Sequence, residues 1–304
     1  MNWKISRRKF ITLSGSAAGM FMLPPGMIEG DHRSTVRFGI ITDSHYADCD
    51  HAGTRYYRDS LEKMRVCIDV FNKEKIDFAI HLGDFKDQDP NKRTEDTLSY
   101  LKAIETVFAR FKGPRFHCVG NHDVDSITKR QFLQHVENTG IANDQSYYSF
   151  DQSGFHFVVL DANYHKNGKP HFYKEGADWQ DTNIPEEQLQ WLRADLTKTI
   201  LPTIVFCHHP LFEYIRHDHK YHVNNFEAIQ GILEASKKVK AAIHGHVHEE
   251  RFQQIKGIQY ITQLGMVDYQ GLENNSFAIV TCTGNEILLD GYKRTTDKTF
   301  PLIH

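Results

Sequence analysis

The stretch Gly120-Asn121-His122-Asp123 follows Arg115–Val119, a short apolar run with the character of a strand, and is therefore expected in the loop after that strand. In this loop, asparagine offers a neutral oxygen ligand to a metal ion, and histidine can carry a proton near neutral pH. Asp123 is close enough in sequence to orient the imidazole of His122. The four residues alone also fit an ordinary polar turn, so their meaning depends on the rest of the chain.

The strand before this loop belongs to a series in which apolar strands alternate with helices. Val36–Ile41, Asp77–Leu82 and Thr203–Cys207 are strand-like runs, and apolar residues recur at helical spacing over 56–75 and 98–111. Parallel strands need a helical connection of this kind to return the chain to the same end of the sheet. The alternation therefore predicts parallel strand–helix–strand units and an α/β fold.

The remaining predicted elements are of both kinds. They are a helix near Lys129–Asn138, strands over Gln145–Phe150 and Gly154–Leu160, helices over Gln188–Leu196 and Phe226–Ser236, a strand over Val239–Ile243, and short strands within 252–264 and 277–289. Two long polar loops, 162–183 and 211–224, are expected to form the wall of a pocket, because long loops in compact domains are usually functional. No internal repeat or linker follows residue 35, which predicts a single domain over residues 31–304.

Composition is typical of a globular protein and excludes several function classes. The 304 residues include 40% hydrophobic and 25% charged residues, which is enough to bury a sizeable core. The 36 basic and 39 acidic residues leave a formal charge of −3, and residues 31–304 contain no Lys/Arg-rich run, so we expect no nucleic-acid partner. The five cysteines are widely separated and suggest neither a disulfide framework nor a zinc knuckle. The 19 histidines, in contrast, call for a search for metal ligands.

Residues 1–30 differ from the rest of the chain. A basic stretch containing Arg7 and Arg8 precedes a mildly apolar segment, Ile11–Leu23, and then a Pro-Pro-Gly turn. This order resembles a twin-arginine export signal, because the apolar segment is shorter than a typical membrane span. We therefore expect export to the periplasm, with membrane association only if the segment remains uncleaved. The alternative is a cytoplasmic protein with an ordinary basic amphipathic amino terminus.

Clusters of polar residues follow five of the predicted strands. In chain order they are Asp43-x-His45, Gly83-Asp84-x-x-Asp87, Gly120-Asn121-His122-Asp123, His208-His209-Pro210 and Gly245-His246-x-His248. Each lies just beyond the carboxyl end of a strand, where open α/β sheets gather their ligands. Imidazole, carboxylate and amide groups without a thiolate suit manganese, iron or zinc better than magnesium or calcium. The joint pattern predicts a metal site.

These five motifs, in this order, resemble the calcineurin-like metallophosphoesterase superfamily, and the resemblance extends from about residue 36 to residue 265. It implies a four-layer α/β/β/α sandwich of two mixed sheets and two metal ions, and hydrolysis of a phosphoester or phosphoanhydride by a hydroxide held between the metals. One metal would be bound by Asp43, His45, Asp84 and His248, and the other by Asp84, Asn121, His208 and His246. In this family pattern His122 assists the leaving group, while Asp87 and Asp123 orient histidines or cap turns.

A narrower resemblance concerns the substrate. The segments Phe38–Asp43, Arg55–Leu61, Val159–Ala162, Gln188–Leu192 and Asn225–Glu227 are similar to the manganese-dependent ADP-ribose/CDP-alcohol diphosphatase branch of that superfamily. The resemblance implies a small phosphorylated substrate of the nucleoside-diphosphate type. The alternatives are an exported phosphodiesterase or phosphomonoesterase of broad specificity and, in a different class, a non-catalytic scaffold with the same fold.

Four further residues are candidates for contact with the substrate. Arg55 and Arg58 have the guanidinium geometry that suits bidentate phosphate contact, and Tyr56 could stack on a base. The alternative is that all three belong to the amphipathic start of a helix. His209 could contact the substrate or could simply be a packed imidazole.

Overall fold

The structure is a computed structural model that describes residues 34–302 except residues 177 and 219. In the described residues the strands are β1 (Val36–Ile41), β2 (Phe78–His81), β3 (Arg115–His117), β4 (Tyr148–Gln152), β5 (Phe155–Leu160), β6 (Thr203–Cys207), β7 (Val239–His244), β8 (Arg251–Ile255), β9 (Ile258–Thr262), β10 (Ser276–Cys282), β11 (Glu286–Lys293) and β12 (Lys298–Pro301). The α-helices are α1 (Ser60–Glu74), α2 (Thr94–Phe108), α3 (Lys129–Leu133), α4 (Glu186–Lys198) and α5 (Phe226–Ser236).

The strands form two mixed sheets of six strands each. The order in the first is β12-β11-β10-β1-β2-β3, and the order in the second is β4-β5-β6-β7-β9-β8. The strands β1, β2 and β3 are parallel to one another, as are β5, β6, β7 and β9, while the other neighbouring pairs are antiparallel. The carboxyl ends of the parallel strands therefore define one edge in each sheet.

Three hydrophobic clusters show how the layers pack. The cluster between the two sheets contains Phe38 of β1 and Phe157 of β5, whose ring centroids are 5.5 Å apart. A second cluster buries one face of α1 and α2 on the first sheet, and a third buries α4 and α5 on the second. The burial of each large apolar side chain stabilises the fold by roughly 1.5–3 kcal/mol. The predicted four-layer α/β/β/α sandwich is confirmed.

The close packing of α1 on the first sheet depends on a glycine in β1. A Cβ atom added at Gly39 would lie 2.4 Å from the ring of Phe71, which is buried. Any side chain here would push the helix away from the sheet, because real contacts of this kind do not fall below about 3 Å. The absence of a side chain at Gly39 of β1 thus leaves space for the Phe71 ring and lets α1 lie close to the sheet.

Two elements differ from the sequence-based prediction. The helix predicted near Lys129–Asn138 ends at Leu133, because Asn138 is engaged elsewhere: its Oδ1 accepts hydrogen bonds from the His117 backbone N–H (2.7 Å) and the Tyr148 hydroxyl (3.1 Å). The edge strand β12 was not predicted. Only Phe300 in it is buried, so it lacks the alternation of apolar residues that marks a half-buried strand.

The predicted export segment, residues 1–30, lies outside the described residues and stays a prediction. Among residues 34–302, apart from 177 and 219, no helix has the length and apolar character needed to cross a bilayer.

Candidate metal centre

The seven predicted metal ligands lie together where the carboxyl-end loops of the two sheets meet. Loops after β1, β2 and β3 of the first sheet and after β6 and β7 of the second sheet supply them. In that order the residues are Asp43 and His45, Asp84, Asn121, His208, and His246 and His248. The parallel pairing of β1 with β2 and of β6 with β7 brings side chains that are up to about 200 positions apart in sequence into contact.

One half of the centre is formed by Asp43, His45, His248 and Asp84. The Nε2 atoms of His45 and His248 are 3.2 Å apart. Asp43 Oδ1 lies 3.2 Å from the His248 nitrogen and 3.7 Å from the His45 nitrogen. Asp84 Oδ2 lies 3.4 Å from His45 Nε2. Four ligand atoms thus face one small space.

The other half is formed by Asp84, Asn121, His208 and His246. The same Oδ2 atom of Asp84 lies 3.3 Å from His208 Nε2. Asn121 Oδ1 also lies 3.3 Å from His208 Nε2. The ring of His246 is 5.1 Å from the ring of His208. Asp84 Oδ2 therefore stands between the two halves and faces both.

The tautomers of three histidines suit metal coordination. The Nδ1–H of His45 donates to Asp87 Oδ2 (3.1 Å), that of His208 to the Leu82 carbonyl (2.9 Å) and that of His248 to Asp268 Oδ2 (2.8 Å). Each of these bonds fixes the proton on the far nitrogen and leaves Nε2 directed into the centre. Metal-ligating histidines are typically held in this way.

Several buried atoms at the centre have no hydrogen-bond partner among the described residues. They include Asp43 Oδ1 and both ring nitrogens of His246. Around an ion with ligand bonds of roughly 2.1 Å, neighbouring ligand atoms lie roughly 3.0–3.4 Å apart, which is close to the spacing observed here. Burying polar atoms without partners is unfavourable, and bound cations would supply the missing interactions. The residues present fit two metal ions.

The electrostatics of the centre also favour bound cations. Burial raises the pKa of Asp43 and of Asp84, but nearby histidines outweigh it and hold both carboxyls well below their usual range. Burial lowers the pKa of His248, but Asp43 and Asp268 outweigh it and raise the pKa to about 10, so a bound cation would take the place of the proton on Nε2. Burial, with His208 nearby, lowers the pKa of His246 to about 3, so this imidazole is neutral. The carboxylates are ionised and attract positive charge into a buried space.

The backbone at the centre is strained. The angle φ is positive at five of the seven predicted ligands: Asp43 (52°), His45 (43°), Asp84 (54°), His246 (71°) and His248 (54°). Each such conformation costs of order 1–3 kcal/mol for a non-glycine residue and persists only where the surroundings enforce it. Strain of this kind concentrates at functional sites, and here it turns side chains from two sheets toward one space.

Carboxylates outside the ligand set hold the histidines and the loops. Asp87 contacts two rings, since its Oδ2 accepts from His45 and its Oδ1 accepts from the Nδ1–H of His122 (3.1 Å). Asp123 does not contact the His122 ring; it accepts backbone N–H groups of Asp84 (2.9 Å) and Gly120 (2.8 Å). The carboxylate that orients His122 is therefore Asp87. The prediction that Asp87 and Asp123 orient histidines or cap turns fits this geometry.

Asp268, which orients His248, was not identified from the sequence. It lies in the loop after β9, and its Oδ1 accepts from the Thr54 hydroxyl (2.8 Å). No motif marks it, because Thr54 lies 214 positions and His248 lies 20 positions away along the chain. Only the hydrogen bond to a residue of the His246-x-His248 motif reveals its role.

A cavity of about 410 Å³ opens onto the centre. Its lining combines residues of the centre with cationic and aromatic side chains. The lining residues are Arg55, Asp84, Gln88, Lys92, Asn121, His122, Asp125, Tyr173, Lys174, Trp179, Tyr221 and His246. The long loops 162–183 and 211–224 supply Tyr173, Lys174, Trp179 and Tyr221, as expected of a pocket wall.

Of the four residues predicted to contact substrate, only Arg55 lines this cavity. Arg58 is half exposed and pairs instead with Asp48 and Asp50. The ring of Tyr56 stacks on His51, with centroids 4.9 Å apart. His209 is buried behind the centre against His208 and His246. Arg55 precedes the 3-10 helix Tyr57–Asp59 and its backbone pairs with Ala52 and Asp268, whereas Arg58 lies within that helix, so the two arginines do not share a site.

The sequence profile of the calcineurin-like phosphoesterase family matches residues 36–250. The chain belongs to this family. Members bind two metal ions and hydrolyse phosphoesters, and this chain is a dinuclear-metal phosphoester hydrolase. The identity of the metals is open.

Several relatives carry the same name. The chain is 25% identical over 269 residues to the "Manganese-dependent ADP-ribose/CDP-alcohol diphosphatase" of Oryza sativa subsp. japonica, covering 76% of this chain and 83% of that one. It is 25% identical over 317 residues to the protein of that name from Danio rerio, covering 86% and 97%. Among solved structures, a dimetal phosphatase from Danio rerio has a TM-score of 0.73 at 22% identity, covering 89% of this chain and 100% of that one, which shows the same fold.

Gly120 is predicted to be essential for the close approach of the loop after β3 to the loop that carries Asp84. A Cβ atom here would lie 2.2 Å from both the backbone nitrogen and Oδ1 of Asp84. We expect Gly120→Ala to weaken metal binding by about 10- to 100-fold, because it displaces the carboxylate between the two halves. Metal titration of the purified protein measures this effect. Gly231→Ala, in α5 with open space around the added Cβ, is the control; equal affinities in both variants would contradict the prediction.

Proposed function

We propose that this family member hydrolyses the diphosphate bond of small nucleoside-diphosphate-type molecules, such as ADP-ribose or a CDP-alcohol. The proposal rests on one observation above all, the composition of the cavity over the centre. Cations and aromatic rings share that cavity, and a substrate with two phosphates and a base needs both. The names of the relatives support the same substrate class.

The cationic side of the cavity carries Arg55, Lys92 and Lys174. Arg55 lies beside the centre, with Nη1 3.5 Å from Asp87 Oδ2, and its guanidinium suits bidentate contact with a phosphate. Lys174 donates to the Thr94 hydroxyl at 3.3 Å and contributes a second positive charge. A phosphomonoester places one phosphate at the centre and has no second phosphate for these groups.

The aromatic side carries Trp179 and Tyr221, whose ring centroids are 6.2 Å apart. Both rings flank His246 of the centre, at 5.9 Å and 6.3 Å respectively. Rings in this position offer a surface for a nucleobase or ribose, and stacking of a base is worth roughly 1–3 kcal/mol.

We infer that Asp43, His45, Asp84 and His248 hold one metal, and Asp84, Asn121, His208 and His246 the other. When bound, the two cations neutralise phosphate charge and lower the pKa of a water molecule. His122 lines the cavity and donates a proton to the leaving phosphate oxygen. Burial lowers the pKa of His122, but Asp87 and Asp84 outweigh it and raise the pKa to about 9, which keeps a proton available at neutral pH.

A panel of substrates tests the proposal. Manganese-loaded protein is assayed with ADP-ribose, CDP-choline, a cyclic nucleotide, bis-p-nitrophenyl phosphate and p-nitrophenyl phosphate. We expect the highest kcat/KM for ADP-ribose or CDP-choline. Equal or higher values for the two nitrophenyl esters would instead indicate a phosphodiesterase or phosphomonoesterase of broad specificity and would overturn the substrate assignment.

Arg55→Ala is expected to lower kcat/KM for a diphosphate substrate by about 10- to 100-fold more than for a monoester, because a charge-assisted hydrogen bond contributes roughly 1.5–3 kcal/mol. Arg58→Ala is a matched control, since it removes an arginine three positions away that pairs with Asp48 and Asp50 outside the cavity. The ratio of kcat/KM values for ADP-ribose and p-nitrophenyl phosphate is the measurement. A ratio that is the same in the two variants would refute the role of Arg55.

A further inference from the structure

A second group of metal-ligating side chains lies in the loop between β5 and α4. It consists of His165, His171 and Asp181, and a nitrogen of each histidine and a carboxylate oxygen lie within 4.8 Å of one another. His165 Nδ1 is 3.1 Å from Asp181 Oδ2, and the two imidazole rings have centroids 4.5 Å apart. None of these residues belongs to the dinuclear centre, and the phosphoesterase chemistry does not use them.

We propose that His165, His171 and Asp181 bind a third metal ion, a divalent transition metal of the zinc type. Zinc takes histidine nitrogen and carboxylate oxygen, and sites with three protein ligands complete a tetrahedron with water. At bond lengths of about 2.0–2.1 Å, the ligand atoms of such a site lie roughly 3.4 Å apart. The distance of 3.1 Å between His165 Nδ1 and Asp181 Oδ2 is already close to that value.

The three residues are held by a network of backbone hydrogen bonds rather than by chance proximity. The His171 N–H donates to the Asn163 carbonyl (2.9 Å), and Tyr164 pairs with Pro170, which closes the segment that carries His165. Asp181 is fixed by Asn183, whose side-chain amide donates to Asp181 Oδ1 (2.8 Å). The ligands are therefore in place before an ion binds, which reduces the entropy lost on binding.

The hydrogen bonds of His171 leave one ring nitrogen weakly engaged. His171 Nε2 now donates to the Asp181 carbonyl (2.9 Å), and its Nδ1 is 3.3 Å from the Tyr173 hydroxyl. Coordination through Nδ1 would displace only the longer contact.

An ion can reach the group from solvent. His171 is buried, but the side chains of His165 and Asp181 are 30% and 35% exposed. His165 also lines a second cavity, of about 460 Å³, next to the amino-terminal end of α4.

The position of the site gives it a role in the wall of the substrate cavity. Tyr173, Lys174 and Trp179 line that cavity, and they lie between His171 and Asp181 in sequence. An ion bound to both residues would reinforce the hydrogen bond that already joins His171 to the Asp181 carbonyl at the two ends of this segment. The third metal therefore further restrains the aromatic and cationic wall.

A zinc count tests the site. Wild type, the double variant His165→Gln/Asp181→Asn and His135→Gln are each equilibrated with Zn²⁺, desalted and analysed for zinc per chain. We expect wild type and His135→Gln to hold one zinc ion more than the double variant. His135 is a suitable control because its ring bonds to the Gln131 carbonyl of α3, outside the loop between β5 and α4. Equal zinc contents in all three proteins would overturn the proposal.

Two further measurements separate folding and function from metal binding. A far-ultraviolet circular dichroism spectrum like that of wild type shows that the double variant is folded; if it is not, His165→Gln alone is used, since that side chain is partly exposed. In the double variant we expect the KM for a nucleotide substrate to rise about three- to tenfold, with kcat within about twofold of wild type. This readout rests on the proposed function, whereas the zinc count does not. An unchanged KM would overturn the role in the wall.

Discussion

Asp84→Asn is expected to abolish the retention of both metal ions and to lower kcat/KM by at least about 10³-fold. The reason is the position of one atom. Asp84 Oδ2 lies 3.4 Å from His45 Nε2 and 3.3 Å from His208 Nε2, so this one carboxylate oxygen faces both halves of the centre. The asparagine variant keeps the shape of the side chain and removes its negative charge, which is needed against two dications.

The measurements for this variant are the metal content after desalting and the hydrolysis of bis-p-nitrophenyl phosphate. Asp77→Asn is the matched control, because Asp77 directly precedes β2 and its carboxylate accepts from the Arg37 backbone N–H (2.7 Å), away from the centre. Asp77→Asn should keep its metals. Two retained metals and a rate close to wild type in Asp84→Asn would show that the centre is assembled in a different way.

His122→Ala is expected to keep both metals and to lose about 10²- to 10⁴-fold in kcat. The side chain of His122 is 25% exposed at the cavity, whereas His45 and His208 are fully buried in the centre. Its backbone N–H donates to Asp84 Oδ1 (2.8 Å), and this bond survives the substitution. The variant therefore removes the proton donor and leaves the ligand geometry intact.

The choice of leaving group separates this role from a general structural defect. A p-nitrophenolate leaves readily without a proton, so the loss in His122→Ala should be much smaller for p-nitrophenyl esters than for the cyclic nucleotide, whose alkoxide leaving group needs a proton. Asp87→Asn should show the same pattern to a lesser degree, because Asp87 holds the His122 ring through a 3.1 Å hydrogen bond. An equal loss for all leaving groups, or lost metal, would count against proton donation.

Most of the fold could be predicted from the sequence, because its signals are local. Strands β5 to β7 and helix α5 fall where apolar periodicity predicted them, within a few residues. The helix after residue 128 was predicted too long, and β12 was not predicted. In both cases contacts distant in sequence decided the outcome: Asn138 bonds to His117 and Tyr148, and β12 pairs with β11 at a sheet edge.

The candidate site likewise contains residues that could be identified from the sequence and residues that could not. The residues of the five motifs could be found because each follows a strand directly and because their types are metal ligands. The groups that surround them could not be found, since nothing in the sequence relates Asp268 to His248 or Trp179 to His246. Arg55 and Arg58 looked equivalent in the sequence, yet one lines the cavity and the other pairs with Asp48 and Asp50.

The Gly120-Asn121-His122-Asp123 stretch shows which properties follow from the sequence and which follow from the tertiary structure. The sequence by itself determined that an amide and an imidazole follow β3, and that similar groups follow four other strands, because strand and ligand types are set by neighbouring residues. Only the tertiary structure decided that Asp87, rather than Asp123, contacts the His122 ring, and that Asp123 binds backbone N–H groups instead. Hydrogen-bond partners depend on how loops from separate strands pack, and the direction of a side chain in a loop is fixed by those contacts rather than by its neighbours in sequence.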